Sequence, residues 1–352
     1  MKIEISGKGA NLEFECPPDE RVLYAGLSAN PELPYECATG TCGSCKAKCL
    51  SGSFDWAWPE APARKTLKAD DELLLCQCIA KSDLKLEVRS KLIKSHLPFS
   101  SANWINGQII NAENLAPGVM SLRIRLAKSI HFLPGQFMAI EFPQFSGGRA
   151  WSMTNFVDGD TDEVDFVIKM KPGGILSQHL FDPNVFASLT GSSVRAFGPV
   201  GKAVFDQENP RDLVCIAGGT GVAGMMSILQ AFLKNCSQTG RKASLYFGVR
   251  TPTDAFFMNE LTQIVHDSKR AVRVVVAFSD TPASKDYTAQ HEYIDFDEGF
   301  VHEVAMRQME TWKTPQTRAY LAGPPPLVDG ALRALLLQAK LPAGEILYDK
   351  FG

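Results

Sequence analysis

The sequence predicts a multidomain α+β and α/β chain: a compact mixed sheet with one helix, a small antiparallel β-barrel, and a doubly wound α/β unit. Three observations predict it. Short alternating apolar segments fill the first quarter of the 352 residues. A middle stretch of strands is punctuated by Pro-Gly and Gly-Gly turns. The last 140 or so residues, by count along the chain, alternate continuous apolar runs with helical patterns. This length suits two or three domains rather than one.

The first block covers residues 1–93. Ile3-Glu4-Ile5 and Leu12-Glu13-Phe14-Glu15 alternate as a half-buried hairpin does. Residues 21–29 read as a short helix, and Leu84-Lys85-Leu86-Glu87-Val88 reads as a closing strand. Residues 94–103, with Pro98, Ser100 and Ser101, read as a linker. The second block, 104–206, carries alternating runs at 119–126 and 164–170, separated by Pro134-Gly135 and Pro172-Gly173-Gly174. Short strands between turns predict the antiparallel barrel. In the third block, 207–352, buried strands are expected at 213–217, 244–249, 272–277 and 319–322. Helices are expected at 225–233, 257–266 and 327–339.

Composition narrows the function classes. With 45% hydrophobic and 21% charged residues the chain is an ordinary globular one. A net charge of −3 gives no nucleic-acid footprint. No apolar run reaches the length that spans a bilayer, and Met1-Lys2-Ile3-Glu4-Ile5 opens like a strand, without a signal core. Cysteines spaced as ligands then point to a reducing, cytoplasmic setting.

The cysteines carry the strongest chemical signal. They read Cys37-Ala-Thr-Gly-Thr-Cys42-Gly-Ser-Cys45, with Leu75-Cys76-Gln77-Cys78 about thirty residues on. The spacing C-x4-C-x2-C plus a distant Cys is that of a plant-type two-iron, two-sulfur ligand set. A zinc site usually pairs two C-x2-C knuckles, and only one is present. Gly40 and Gly43 suit a loop whose amides turn toward charged sulfurs. Spacing leaves Cys76 and Cys78 open as the fourth ligand, since alternation along an extended segment puts both on one face. Cys16, Cys49, Cys215 and Cys236 read as small buried or half-buried residues.

Here the chain resembles the ferredoxin domain of bacterial oxygenase reductases, in which the ligand is the Cys before a Gln. That resemblance favours Cys76, giving Cys37, Cys42, Cys45 and Cys76 as cluster ligands and a β-grasp-type fold for the first block. Arg149-Ala-Trp151-Ser152 resembles the Arg-x-Tyr-Ser motif of ferredoxin–NADP reductases, with Trp replacing Tyr. Arg149 offers a planar fork for a pyrophosphate, Trp151 an aromatic face, and Ser152 a hydroxyl near flavin N5. Lys169-Met-Lys-Pro-Gly173-Gly174-Ile-Leu-Ser177 resembles the family's Gly-Gly-x-x-Ser turn, whose amides hold flavin phosphate. Gly198-Pro199-Val200-Gly201 resembles the turn that ends the barrel. Together they imply an FAD-binding barrel and make Ser152 a catalytic candidate.

Gly218-Gly219-Thr220-Gly221-Val222-Ala223-Gly224 follows an apolar strand and precedes a helix, the context of a phosphate cradle. The family ends this run in Ala-Pro, so Ala223-Gly224 should loosen the helix start. Ala322-Gly323-Pro324-Pro325 resembles Cys-Gly-Pro-Pro on the nicotinamide side, with Ala322 in place of the Cys. Relatives commonly end in an aromatic stacked on the flavin, which makes Phe351 a second catalytic candidate. Around Arg250 and Asp254 the basic residues that NADPH-selective members carry are sparse, which favours NADH.

The resemblance spans the whole chain. It implies a reductase that passes electrons from NADH through FAD and a 2Fe-2S cluster to an oxygenase component. The stretch Phe54-Asp-Trp-Ala-Trp58-Pro-Glu-Ala-Pro62 and the ending Tyr348-Asp-Lys-Phe resemble monooxygenase reductases, which favours a diiron hydroxylase partner. A Rieske ring-hydroxylating dioxygenase or a non-oxygenase acceptor are the alternatives. The partner contact is expected to be transient and near the loop 35–44, with Glu32 and Glu36 steering it and Lys46 and Lys48 following.

Overall fold

The computed structural model describes residues 1–29, 33–92, 102–236, 239–308 and 316–350. In the first domain the strands are β1 (Lys2–Lys8), β2 (Ala10–Glu15), β3 (Lys46–Ser51), β4 (Phe54–Trp56), β5 (Glu72–Leu74), β6 (Cys78–Ala80) and β7 (Leu84–Lys91). Helix α1 (Val22–Ala29) follows β2. The main sheet has the order β2-β1-β7-β3-β5, with β1 parallel to β7, and β4 pairs with β6 in a separate ribbon. Alternation at Ile3, Ile5, Leu12 and Phe14 puts all four side chains inside. α1 is covered on most sides, burying Val22, Leu23, Tyr24, Ala25 and Leu27.

The second domain holds β8 (Asn103–Ala116), β9 (Val119–Ile130), β10 (Phe137–Glu141), β11 (Arg149–Ser152), β12 (Thr161–Lys169) and β13 (Ser193–Val200). Helices α2 (Ile175–Leu180) and α3 (Pro183–Phe186) lie between β12 and β13. The order is β11-β10-β13-β8-β9-β12, every pair antiparallel. The bridge between Met153 and Phe166 ties one edge to the other, which closes the sheet and removes its free edges. Most of the expected linker lies outside the described residues, and Asn103 already opens β8.

The third domain runs β14 (Asp212–Gly218), α4 (Val222–Cys236), β15 (Ala243–Val249), α5 (Met258–Asp267), β16 (Val272–Phe278), α6 (Lys285–Ala289), β17 (Asp295–Glu298), α7 (Val301–Gln308), β18 (Thr317–Gly323), α8 (Pro325–Leu337) and β19 (Ile346–Lys350). Its sheet, β17-β16-β15-β14-β18-β19, is wholly parallel. Continuous apolar strands follow from burial on both faces. Leu213, Cys215 and Ala217 pack with α4 and α5, whereas Val214 and Ile216 pack with α7 and α8.

The domains share apolar surface. Phe137, Ala139, Phe197 and Val200 of the barrel join the core cluster of the first domain. Tyr24 stacks on Phe197 with ring centroids 4.2 Å apart, and Trp104 meets both edge-on. Arg21 pairs with Glu141 across the same boundary, both largely covered. On the other side Val119, Val167 and Phe205 join the core beneath α4. Ser227 of α4 accepts a hydrogen bond from the Gly135 amide at 3.1 Å.

Candidate electron-transfer site

The loop 37–45 is built around left-handed residues. Ala38, Gly40 and Gly43 have φ of 57°, 86° and 82°. A Cβ on Gly40 would meet the Gln77 amide nitrogen at 2.9 Å, so glycine serves both the backbone and the packing there. The Tyr24 hydroxyl donates to Ala38 O at 2.9 Å and ties the loop to α1.

The thiols fall into two pairs. Cys45 Sγ and Cys76 Sγ are 3.3 Å apart, and Cys37 and Cys42 are hydrogen-bonded to each other. Backbone N–H groups point at sulfur: Thr39 toward Cys37 at 3.4 Å and Ser44 toward Cys42 at 3.5 Å. The bond from Cys42, with help from Thr41 and the Thr39 amide, draws the Cys37 thiol well below its ordinary range. Burial, then Cys45, pushes Cys76 up. Among the described residues no three His, Cys, Asp or Glu side chains converge as a single-ion site does. Two thiol pairs with amide donors fit two bridged irons that each take two thiolates.

Alternation put Cys76 and Cys78 on one face, and the structure corrects this. Leu75–Gln77 is a 3₁₀ turn rather than a strand, so the period of two is broken before Cys78 opens β6. Cys78 is raised by burial and has Cys16 and Cys49 as its nearest thiol influences. The Gln77 side-chain amide donates to Cys76 Sγ at 3.7 Å.

The segment from Arg149 to Ser152 forms β11, with Arg149 opposite Ile140 and Ser152 opposite Phe137. Arg149 Nη1 donates to Gly147 O at 3.3 Å and Gly148 O at 2.9 Å. No carboxylate among the described residues pairs with it, and burial lowers its pKa. A half-buried guanidinium without a counter-charge favours an anion. Trp151 turns into the barrel, with ring centroids 6.1 Å from Phe142 and 6.2 Å from Phe166. Ser152 is 9% exposed. A Cβ on Gly224, in the first turn of α4, would lie 3.5 Å from its Oγ. α4 begins at Val222, directly after a 3₁₀ turn at Gly219–Gly221.

Gly173 has φ of 73° and open space around it. Ser177 is committed to its own turn: its hydroxyl accepts from Lys171 N at 3.0 Å and donates to Gly174 O at 3.1 Å. Gly174 N is likewise taken, by Lys171 O at 2.9 Å. The Ser177 hydroxyl and the Gly174 amide thus also shape the turn itself. Lys169 Nζ reaches to 4.0 Å from a Cβ built on Gly219, which brings barrel and glycine run together.

Gly218 ends β14 and Gly219, Thr220 and Gly221 turn from it into α4, while Gly323 ends β18 alongside and Pro324 follows it. Sheet order reverses between these strands, which makes a crevice at their carboxyl ends. A Cβ on Gly221 would sit 2.3 Å from Ala322 O, and one on Gly218 would overlap Leu327. Gly323 has φ of 146° and touches Gly218. Phe351 lies outside the described residues; β19 ends at Lys350, opposite Gly323.

A site that sequence reasoning missed lies where the three domains meet. A cavity of about 260 Å³ is lined by Tyr35, Glu36, Gly201, Lys202, Tyr348 and Asp349 among others. Asp349 is 7% exposed. Burial, reinforced by Glu36, raises it to about 7. Glu36, expected to steer a partner, is half-buried here against Asp349 and Lys350. Glu32 lies outside the described residues.

Comparison with known families agrees with this geometry. Residues 3–81 match a 2Fe-2S iron-sulfur cluster binding domain, 106–205 an oxidoreductase FAD-binding domain and 215–333 an oxidoreductase NAD-binding domain. The ferredoxin–NAD(+) reductase component of the alkene monooxygenase system of Xanthobacter autotrophicus is 32% identical over 344 residues, 96% of this chain and 97% of that one. The chain belongs to the ferredoxin–NAD(P)+ reductase components of oxygenase systems. Another member of that family, from Metapseudomonas resinovorans, is 30% identical across the whole of this chain and 99% of its own. The solved ferredoxin reductase of carbazole 1,9a-dioxygenase superposes on this reductase with a TM-score of 0.81 at 31% identity, covering 100% and 99% of the two chains. This reductase is thus an NADH-linked oxidoreductase that uses FAD and a 2Fe-2S cluster. No described helix is long and apolar enough to cross a membrane.

Proposed function

We propose that this reductase delivers electrons from NADH to the terminal hydroxylase of a diiron monooxygenase system in the cytoplasm. The observation that carries the electron route is the docking of the thiol loop on the barrel. Tyr24 bonds the loop at Ala38 and stacks on Phe197, while Gly224 of the nicotinamide-side helix faces Ser152 from the opposite side. When bound, FAD would supply acceptance of a hydride as two electrons, and the cluster would supply one-electron relay.

The chain's own residues bind and orient. Cys37 with Cys42 and Cys45 with Cys76 hold the cluster. Arg149 faces the flavin pyrophosphate, Gly173 leaves room at the cradle, and Gly174 and Ser177 set its turn. Trp151 stiffens the strand from inside the barrel, and Ser152 presents its hydroxyl to the ring. Lys169 spans to the glycine run. Gly218, Gly219, Thr220, Gly221, Gly323 and Pro324 bring backbone close to the dinucleotide, which side chains would block. Phe351, outside the described residues, is the residue that by resemblance would cover the flavin until nicotinamide arrives. Domain limits at 1–93, 104–206 and 207–352 follow from the same division of labour.

Cys42 is the half-exposed member of the four, and Ser44 beside it is exposed, which favours exit of electrons at 42–44. The diiron partner is supported by relatives named as reductase or electron-transfer components of alkene, xylene/toluene and propane monooxygenases. The dioxygenase alternative rests on the ferredoxin reductase of carbazole 1,9a-dioxygenase, 31% identical, and on the naphthalene 1,2-dioxygenase reductase of Pseudomonas putida, 27% identical. Mixing the purified reductase and NADH with a diiron hydroxylase and, separately, a Rieske oxygenase decides between them. Coupled product formation is expected only with the former; turnover with the Rieske component alone would reverse the assignment.

A further inference from the structure

The stretch 54–62 of the ferredoxin domain meets the flavin barrel at Gly147 and Arg149. Its base is fixed by the Ala57 amide, which donates to Gln77 O at 2.9 Å, and by a turn from Ala61 N to Trp58 O at 3.1 Å. Trp58 at the tip lies over Arg149, with the guanidinium carbon 4.8 Å from the ring centroid. Gly147 completes the fit. It has φ of 75°, and a Cβ there would come 2.4 Å from Trp58 Cε3. The barrel loop therefore carries glycine where the indole presses on it.

The same contact bears on Arg149's chemistry. The two carbonyls hold only Nη1, and among the described residues Nε and Nη2 have no partner. A planar guanidinium stacked on one face by indole and anchored at one nitrogen keeps its remaining fork in a single orientation. We infer that Trp58 is a positioning residue for flavin binding: the ferredoxin domain, through this indole, holds the Arg149 fork that receives the FAD pyrophosphate. This rests on the assignment of Arg149 to the pyrophosphate. Its consequence is that FAD affinity depends on a residue of the iron–sulfur domain, so that a chain with its cluster domain undocked binds flavin more weakly.

The test uses the full chain, stripped of FAD and titrated with it while flavin fluorescence is followed. Trp58→Ala should weaken FAD binding roughly tenfold, the scale of a desolvated cation–π contact, and Trp58→Phe should restore most of the loss. Iron content and visible cluster absorption should match wild type, and so should the melting temperature before FAD is added. In the Arg149→Ala background, Trp58→Ala should add nothing. Equal weakening by Trp58→Ala with and without Arg149 would overturn the inference, as would Trp58→Ala binding FAD like wild type. Arg149→Ala that keeps full FAD affinity would instead overturn the pyrophosphate assignment, and the inference with it.

Discussion

Gly201, just past the last barrel strand, donates its backbone N–H to the Tyr35 hydroxyl over 3.0 Å. Tyr35 stands two residues before Cys37, so this bond joins the cluster loop to the flavin barrel. Lys202 reinforces it, with Nζ 3.3 Å from Leu33 O and 4.9 Å from the Tyr35 ring centroid. Tyr35→Phe leaves a buried N–H unpaired at a cost of about 1–3 kcal/mol. Stopped-flow spectra should then show flavin reduction by NADH at the wild-type rate and cluster reduction several-fold slower. Wild-type cluster reduction in this variant would remove Tyr35 from the route.

Cys76 lies 3.3 Å from Cys45, whereas Cys78 follows the 3₁₀ segment, opens β6 and feels Cys16 and Cys49 ahead of Cys45. Cys76→Ser should abolish or strongly alter the cluster's visible spectrum, and Cys78→Ser should leave it nearly intact. The reverse pattern would transfer the ligand role to Cys78.

Asp349 gives the chain a pH dependence. A free Asp titrates near about 4, and burial, then Glu36, raise this one to about 7. The folded state binds the proton more tightly than the unfolded state. The associated stability is complete below about pH 4 and is lost as pH rises through about 7. Lys202 lines the same cavity, whereas the Lys350 ammonium is turned to Asp329 at 2.7 Å. Melting temperatures from pH 4 to 7.5 should fall in wild type relative to Asp349→Asn. Parallel curves would show that Asp349 is not the titrating group.

Nicotinamide choice can be read at Arg250. Its guanidinium lies 3.6 Å from Asp254, which also accepts from the Thr251 amide. Asp254→Asn releases the Arg250 charge for a 2′-phosphate while keeping a side-chain acceptor for the turn. The NADPH-to-NADH ratio of kcat/KM should rise by roughly tenfold, the scale of one charge-assisted contact. An unchanged ratio would place 2′-phosphate discrimination elsewhere.

Features with a local cause were legible in the sequence. The alternation at 119–126 gives β9, the apolar run at 213–217 gives β14, and the glycine runs after β14 and β18 meet because both end parallel strands. β17 was not foreseen: Asp295-Phe-Asp-Glu298 is a half-exposed edge strand and needs no apolar run. The place of Cys78 depended on a 3₁₀ turn that spacing does not encode. Ser177 fits its motif, yet its hydroxyl is spent on Lys171 and Gly174. Trp58 over Arg149 and Asp349 beside Glu36 join residues far apart in sequence, so only the docked domains disclose them.

The order of electron flow runs from NADH to the flavin side first, with the cluster downstream. It is tested most directly by a chain that retains FAD but lacks the cluster, such as Cys45→Ser, mixed with NADH without oxygen. Flavin bleaching at the wild-type rate and full ferricyanide reduction are expected, with loss of cytochrome c reduction and of electron delivery to the oxygenase. Flavin reduction that stopped in this variant, while the chain stayed folded and FAD stayed bound, would contradict the account.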